Sequence, residues 1–198
     1  MAIDYGAADL ETPLQDSLGE ALVHGMVVSN LAYLVGKAMD LPEKQLHTLA
    51  VAGMVHDIGK LRLRSYVFEE KEATLGIDEL RYTRLHPSLG YAILKEHGFE
   101  EDVQYAVLYH HENADGSGYP KNLKKDEIPL NARILRVCDT FGALIANRPY
   151  RSAFDIETAI HIMIEDVKNY DLEVFLAFQK VTQSEELYEM LGNFGIYQ

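Results

Sequence analysis

Apolar residues recur at spacings of three and four along almost the whole chain, and no stretch sustains the period-two alternation of a half-buried strand. That restricts the fold to an all-α one. The spacing predicts helices near 16–38, 43–59, 87–97, 101–111, 129–147, 155–167 and 171–191, the last open to a break. Their ends carry fitting punctuation: Pro42 and Glu43 after Asp40, Pro87 after His86, Gly98 after His97, and Pro129 at the start of the segment that follows a glycine-rich loop. No linker, low-complexity tract or fixed-period repeat divides the 198 residues, so one domain is expected over 16–198 behind a short extension, 1–15.

Charged residues interrupt the apolar faces of three of these helices. In the first, Val23, Val27, Leu31, Leu34 and Ala38 form a stripe that also contains Glu20 and His24. In the second, Leu46, Ala50 and Gly53 share a face with Asp57 and, a turn later, Lys60; in the helix after Pro129, Asp139 lies in line with Ala132, Leu135, Ala143 and Ala146. An uncompensated buried carboxylate costs roughly several kcal/mol, so each should be protonated, paired or metal-bound. The simplest arrangement gathers the three carboxylates with histidines around cations in the core of a helical bundle.

The richest motif is His110-His111-Glu112-Asn113-Ala114-Asp115-Gly116-Ser117-Gly118-Tyr119-Pro120, read together with His56-Asp57-Ile58-Gly59-Lys60. Imidazoles, a carboxylate able to bridge two cations and a fixed positive charge suit metal-assisted phosphoester hydrolysis. Each part also has a plainer reading. Glu20/His24 at i, i+4 occurs as a surface pair, Asp57/Lys60 as a buried salt bridge, His86-Pro87 as a helix start, and His110-His111 as partners of a helix C-terminal dipole. The Asp115–Pro120 run can be a tight loop or a ligand-approaching one that projects Tyr119, and Arg148-Pro149-Tyr150-Arg151 either a solvated helix exit or a fork for phosphate oxygens. His47, His97 and His161 have no such companions and read as ordinary histidines.

A net charge of −13 argues against a nucleic-acid polymer as partner and requires local cations if the ligand is a small anion. Met1 to Gly36 hold no Lys or Arg, the reverse of a signal peptide's basic start, and the longest apolar run, Leu49–Val55, is too short for a membrane span. Cys138, the sole cysteine, excludes an internal disulfide; a cytoplasmic location is the expectation.

Over roughly residues 17–180 the chain resembles the HD-GYP family, bacterial cyclic di-GMP phosphodiesterases of the HD metal-dependent phosphohydrolase superfamily. The resemblance rests on His24, His56–Lys60, His86-Pro87, His110–Pro120, Ile128-Pro129-Leu130 with Ala132-Arg133-Ile134, Asp139, and Arg148–Arg151. It implies an HD-domain-like helical bundle with a metal site in its core. By the same resemblance His56, Asp57 and Asp139 hold one ion, Asp57 bridges to a second held by His86, His110 and His111, and Glu20 with His24 matches members that hold a third. Two or three divalent ions, iron or manganese, are implied. Lys60 resembles the residue on the scissile phosphate, and Tyr119, Arg148 and Arg151 resemble nucleotide-contacting residues.

The chain departs from the family at Gly142, where a second Asp usually stands three residues after the metal-binding one, and in Leu61–Leu85, which lacks the usual Pro-containing run. Glycine there is expected to loosen the helix or to remove a hydrogen bond that backs a ligand. With about sixteen residues before the first helix, no regulatory domain is expected in the same chain. The expected activity is hydrolysis of cyclic di-GMP to pGpG by a hydroxide bridging two cations, with onward cleavage to GMP left open. The alternatives are a catalytically weak cyclic-dinucleotide-binding or protein-interaction module, with a diguanylate cyclase domain protein as partner, and hydrolysis of another cyclic dinucleotide or nucleotide.

Overall fold

The computed structural model describes residues 18–63, 83–147 and 151–196. Among these are eight α-helices with both ends described, and no strand: α1 (Leu18–Ala38), α2 (Glu43–Val55), α3 (His86–Glu96), α4 (Glu101–Tyr109), α5 (Leu130–Leu144), α6 (Ile156–Glu165), α7 (Leu172–Val181) and α8 (Glu185–Asn193). The stretch expected at 171–191 is thus two helices. Between them Ser184 caps α8, accepting the Leu187 N–H on its hydroxyl, as Asp155 and Asp171 cap α6 and α7.

Helix α5 is the axis of the bundle. Thirteen of its fifteen residues are buried, so it is apolar or internally paired all round, as a helix enclosed by others must be. Around it stand α1, α4 and α7, with α2 bridging α1 and α4, α3 on α4, α6 on α5 and α8 on α1. Val28, Leu31, Leu49, Leu135, Phe141 and Phe178 fill the core between them. Helix α1 has the length and apolar composition to cross a membrane, but its apolar residues Val27, Val28, Leu31, Ala32 and Val35 are spent on that core.

The α1–α2 crossing sets the distance at which the histidines meet. A Cβ on Gly53 would lie 2.7 Å from Ser29 Cα, and one on Gly25 would lie 2.8 Å from the Met54 carbonyl oxygen, so only glycines permit the two backbones to approach this closely. Ser29 Oγ donates to the Ala50 carbonyl at 2.7 Å across the same contact.

The helix expected over 43–59 stops at Val55. His56–Ile58 form a tightened turn, with Ile58 N–H donating to the Val55 carbonyl and Lys60 N–H to that of Asp57, before the chain is helical again from Gly59. From this turn His56 Nε2 and Asp57 Oδ2 come within 3.4 Å of each other. The divergent segment from Leu61 to Leu85 falls largely outside the described residues.

Candidate metal centre

Five elements deliver one ligand-type group or two to a common point. Helix α1 carries His24, the turn after α2 carries His56 and Asp57, the first residue of α3 is His86, the end of α4 is followed by His110 and His111, and the middle of α5 holds Asp139. His56, His86 and His110 are fully buried; His24, His111 and Asp139 nearly so. Around Asp139, His24 Nε2 stands 3.0 Å and His56 Nε2 3.4 Å from Oδ1, with His111 Nε2 4.0 Å from Oδ2. Around Asp57, His56 Nε2 lies 3.4 Å from Oδ2 and His86 Nε2 3.3 Å from Oδ1.

The chemistry of the donor set fits divalent cations. His56, His86 and His110 each turn Nδ1 to a backbone carbonyl three residues earlier, those of Gly53, Thr83 and Val107, at 2.8, 2.6 and 2.6 Å. A carbonyl only accepts, so Nδ1 carries the proton in each ring, and the neutral rings of His86 and His110 present bare Nε2 lone pairs to the centre. These two lone pairs face each other at 3.2 Å, an arrangement that repels unless a proton or cation lies between them. Three overlapping groups have all their ligand atoms within 4.8 Å of one another: His86, His110 and His111; His24, His56 and Asp57; His56, His110 and Asp139. A donor set this rich in imidazole suits transition-metal dications better than calcium or magnesium, which take oxygen ligands.

Electrostatics agree. Burial, then the positive charge of Lys60, holds His86 well below the usual imidazole range, and burial with the charge of His56 brings His110 down to about 4. Burial also lowers His24 and His111. Burial opposes charge on His56 too, but the Asp57 and Asp139 carboxylates prevail and push it up to about 10. The same burial would raise both carboxyls, yet Lys60 and His56 hold Asp57, and His24 and His56 hold Asp139, well below the carboxylate range. At neutral pH the centre is therefore two carboxylates among mostly neutral imidazoles. Lys60 Nζ rests on Asp57 Oδ2 at 2.8 Å with its side chain 12 % exposed, at the boundary between cluster and solvent.

Not every expected residue falls in the cluster. Glu20 is exposed, in the first turn of α1, on the helical face that it shares with His24 one turn later. It borders a cavity of about 400 Å³ whose walls include His24, Gly142, Asn147 and Phe194. Tyr119 stacks its ring on His111 with centroids 4.8 Å apart, and the Arg84 guanidinium lies 5.3 Å from its centroid. Arg151 turns inward to the end of α5, donating to the carbonyls of Ala143 and Leu144 at 2.9 and 3.0 Å above the Phe154 ring, where a cation complements the helix terminus. Arg148 lies outside the described residues.

Two supports of the site escaped the sequence reading. Glu112, 1 % exposed, accepts the backbone N–H groups of Lys121 and Leu123 and so folds the loop after His111 back on itself. Arg136, one turn before Asp139, donates from Nε to Asn113 Oδ1 and from Nη1 to Thr140 Oγ1, both at 2.8 Å, tying that loop to α5. A charge one turn before the inward Asp139 was the available signal for Arg136; its partner 23 residues away was not readable.

An enclosed histidine–carboxylate centre within a helical bundle defines a protein built to hold divalent cations. The chain belongs to the HD domain family, whose model matches residues 9–174. It is 36% identical over 135 residues to the cyclic di-GMP phosphodiesterase response regulator RpfG of Xanthomonas campestris pv. campestris, covering 67% of this chain and 35% of the relative. It is 33% identical over 159 residues to the cyclic di-GMP phosphodiesterase PA4108 of Pseudomonas aeruginosa, covering 80% and 38%. The chain thus spans little more than a third of the length of these curated relatives. In fold it is similar to the crystal structure of a cyclic GMP-AMP specific phosphodiesterase of Vibrio cholerae, with a TM-score of 0.65 at 18% identity over 95% of this chain and 50% of that one.

Proposed function

We propose that the protein is a metal-dependent phosphodiesterase of cyclic dinucleotides, with cyclic di-GMP as substrate and pGpG as product. The observation that carries this reading is the pair of bare Nε2 lone pairs on His86 and His110, 3.2 Å apart beside a lysine-paired aspartate, an arrangement suited to cations and a phosphate together. The relatives named as cyclic di-GMP phosphodiesterases support the substrate. Iron or manganese, as two ions or three, fits the donor set.

In this reading His86, His110 and His111 hold one ion and His56, Asp57 and Asp139 another, with His24 beside them. Such cations polarise a phosphoryl group and lower the pKa of water toward about 7. Lys60, anchored on Asp57, places a fixed positive charge against the non-bridging phosphate oxygens, which a chain of net charge −13 needs locally. Tyr119, stacked on His111 with the Arg84 guanidinium over its ring, holds that second cation at the rim, where an anionic nucleotide would meet it. The carbonyl bonds to Nδ1 of His56, His86 and His110 orient the rings before any ligand arrives.

A second substrate has a specific basis, since a relative 33% identical over 79% of this chain is named a 3′3′-cGAMP-specific phosphodiesterase. The test is anaerobic hydrolysis of cyclic di-GMP and 3′3′-cGAMP by iron- or manganese-loaded protein, beside Asp57→Ala. Metal-dependent pGpG formation that the variant fails to give supports the reading. Preferential cleavage of cGAMP moves the substrate; turnover of neither by a fully loaded sample overturns the enzymatic reading in favour of a binding role.

A further inference from the structure

His24 differs from its neighbours in what stands behind it. The Nδ1 atoms of His56, His86 and His110 each have a backbone carbonyl at 2.8 Å or less, which fixes tautomer and ring plane and makes Nε2 a better donor to a cation. His24 is held the other way round: its Nε2 donates to Asp139 Oδ1 at 3.0 Å, and its Nδ1 is buried without a hydrogen-bond partner. When Nε2 ligates a cation, that Nδ1 must carry its proton into an apolar wall, at the cost of an unmade hydrogen bond.

The gap is at Gly142, one turn after Asp139 on α5. A Cβ there would stand 3.4 Å from both Nδ1 and Cε1 of His24 and 3.2 Å from Val28 Cγ2, so an oxygen one or two bonds further out reaches Nδ1. Glycine supplies none. The same residue also forms part of the wall of the cavity that Glu20 borders.

We propose that position 142 sets the grip of His24 on its cation: with glycine there, the ion position served by His24 is the weakest of the cluster and empties first as free metal falls. This rests on reading the cluster as a cation centre. It divides the cluster into a tight part, with the carbonyl-backed His86 and His110, and a labile part on the α1 side. Partners of this kind change metal affinity by about 10- to 100-fold.

The test uses manganese-loaded full chain as wild type, Gly142→Ser, Gly142→Asp and Gly142→Ala, equilibrated at buffered free manganese concentrations, with bound metal counted by mass spectrometry. The wild type should lose its ions in two separated steps. Ser and Asp should both tighten the weaker step by about tenfold or more, leaving the tighter one in place. Ala, which adds the same Cβ and the same pressure on Val28 without an oxygen, should leave both steps where they are. A weaker step unmoved by Ser and Asp, moved equally by Ala, or moved by Asp alone through its added charge, overturns the proposal. If the wild type binds no manganese at all, the cation reading falls, and this inference with it; binding in a single step refutes this inference alone.

Discussion

Replacing Glu112 by Gln tests how the loop after His111 is held. The carboxylate is 1 % exposed and accepts two backbone N–H groups, from Lys121 at 2.6 Å and Leu123 at 2.9 Å. Glutamine has the same shape, but one of its two terminal atoms is a donor, so one N–H keeps a weaker neutral acceptor and the other faces an NH₂ group. A buried donor left unsatisfied costs about 1–3 kcal/mol, and the surviving bond loses its charge assistance. Burial of the carboxylate, which pushes its own pKa up, is relieved in the variant and offsets part of this. The net expectation is a loss of about 2 kcal/mol. With a urea m-value of about 2 kcal/mol/M, the midpoint of unfolding falls by about 1 M. Because His111 is the preceding residue, metal content at limiting manganese should fall with it. A midpoint within 0.2 M of wild type, with metal content unchanged, would refute the claim that Glu112 organises the loop.

Three further outcomes follow from the same geometry. Gly59→Ala places a Cβ 2.0 Å from the His86 carbonyl oxygen and 2.7 Å from Gly90 N, both backbone atoms, so it should destabilise by about 3 kcal/mol and reduce bound metal; a normal urea midpoint contradicts the close approach. In metal-stripped protein, His110 with its pKa brought from 6.5 to about 4 refuses a proton that the unfolded chain accepts, so stability falls with pH between those values by about 3 kcal/mol, while His56, raised to about 10, loses its contribution as pH climbs from 6.5 toward 10. Urea midpoints should therefore peak near neutrality, and a steady rise from pH 5 to 9 would be inconsistent with this charge pattern. Arg151→Ala should lower the stability of ligand-free protein by about 1–2 kcal/mol through the lost helix-end bonds; unchanged stability with a raised KM alone would return Arg151 to the substrate.

The helices were legible because burial around a central axis imposes a period of three to four on the sequence, and α1, α3 and α4 lie within two residues of expectation at both ends. The inward histidines and aspartates were legible for a related reason, as polar residues on faces that the period marks as buried. What periodicity does not encode is how deeply each position on a face is buried: Glu20 shares the face of His24 yet is exposed. Nor does it register the turn at His56–Ile58, whose residues suit a helix and which tertiary packing tightens instead. Arg151 shows a third limit: an arginine just beyond a helix serves a phosphate or the helix's own carbonyls equally well in sequence, and only the fold directs it to Ala143 and Leu144.

The central claim, that the buried histidines and aspartates hold cations for phosphodiester cleavage, is tested most directly by anomalous diffraction from manganese-loaded crystals. The account predicts a strong peak about 2 Å from Nε2 of His86, His110 and His111, and a second against His56, Asp57 and Asp139. Anomalous density confined to surface carboxylates, with the cluster bare at saturating manganese, would contradict it.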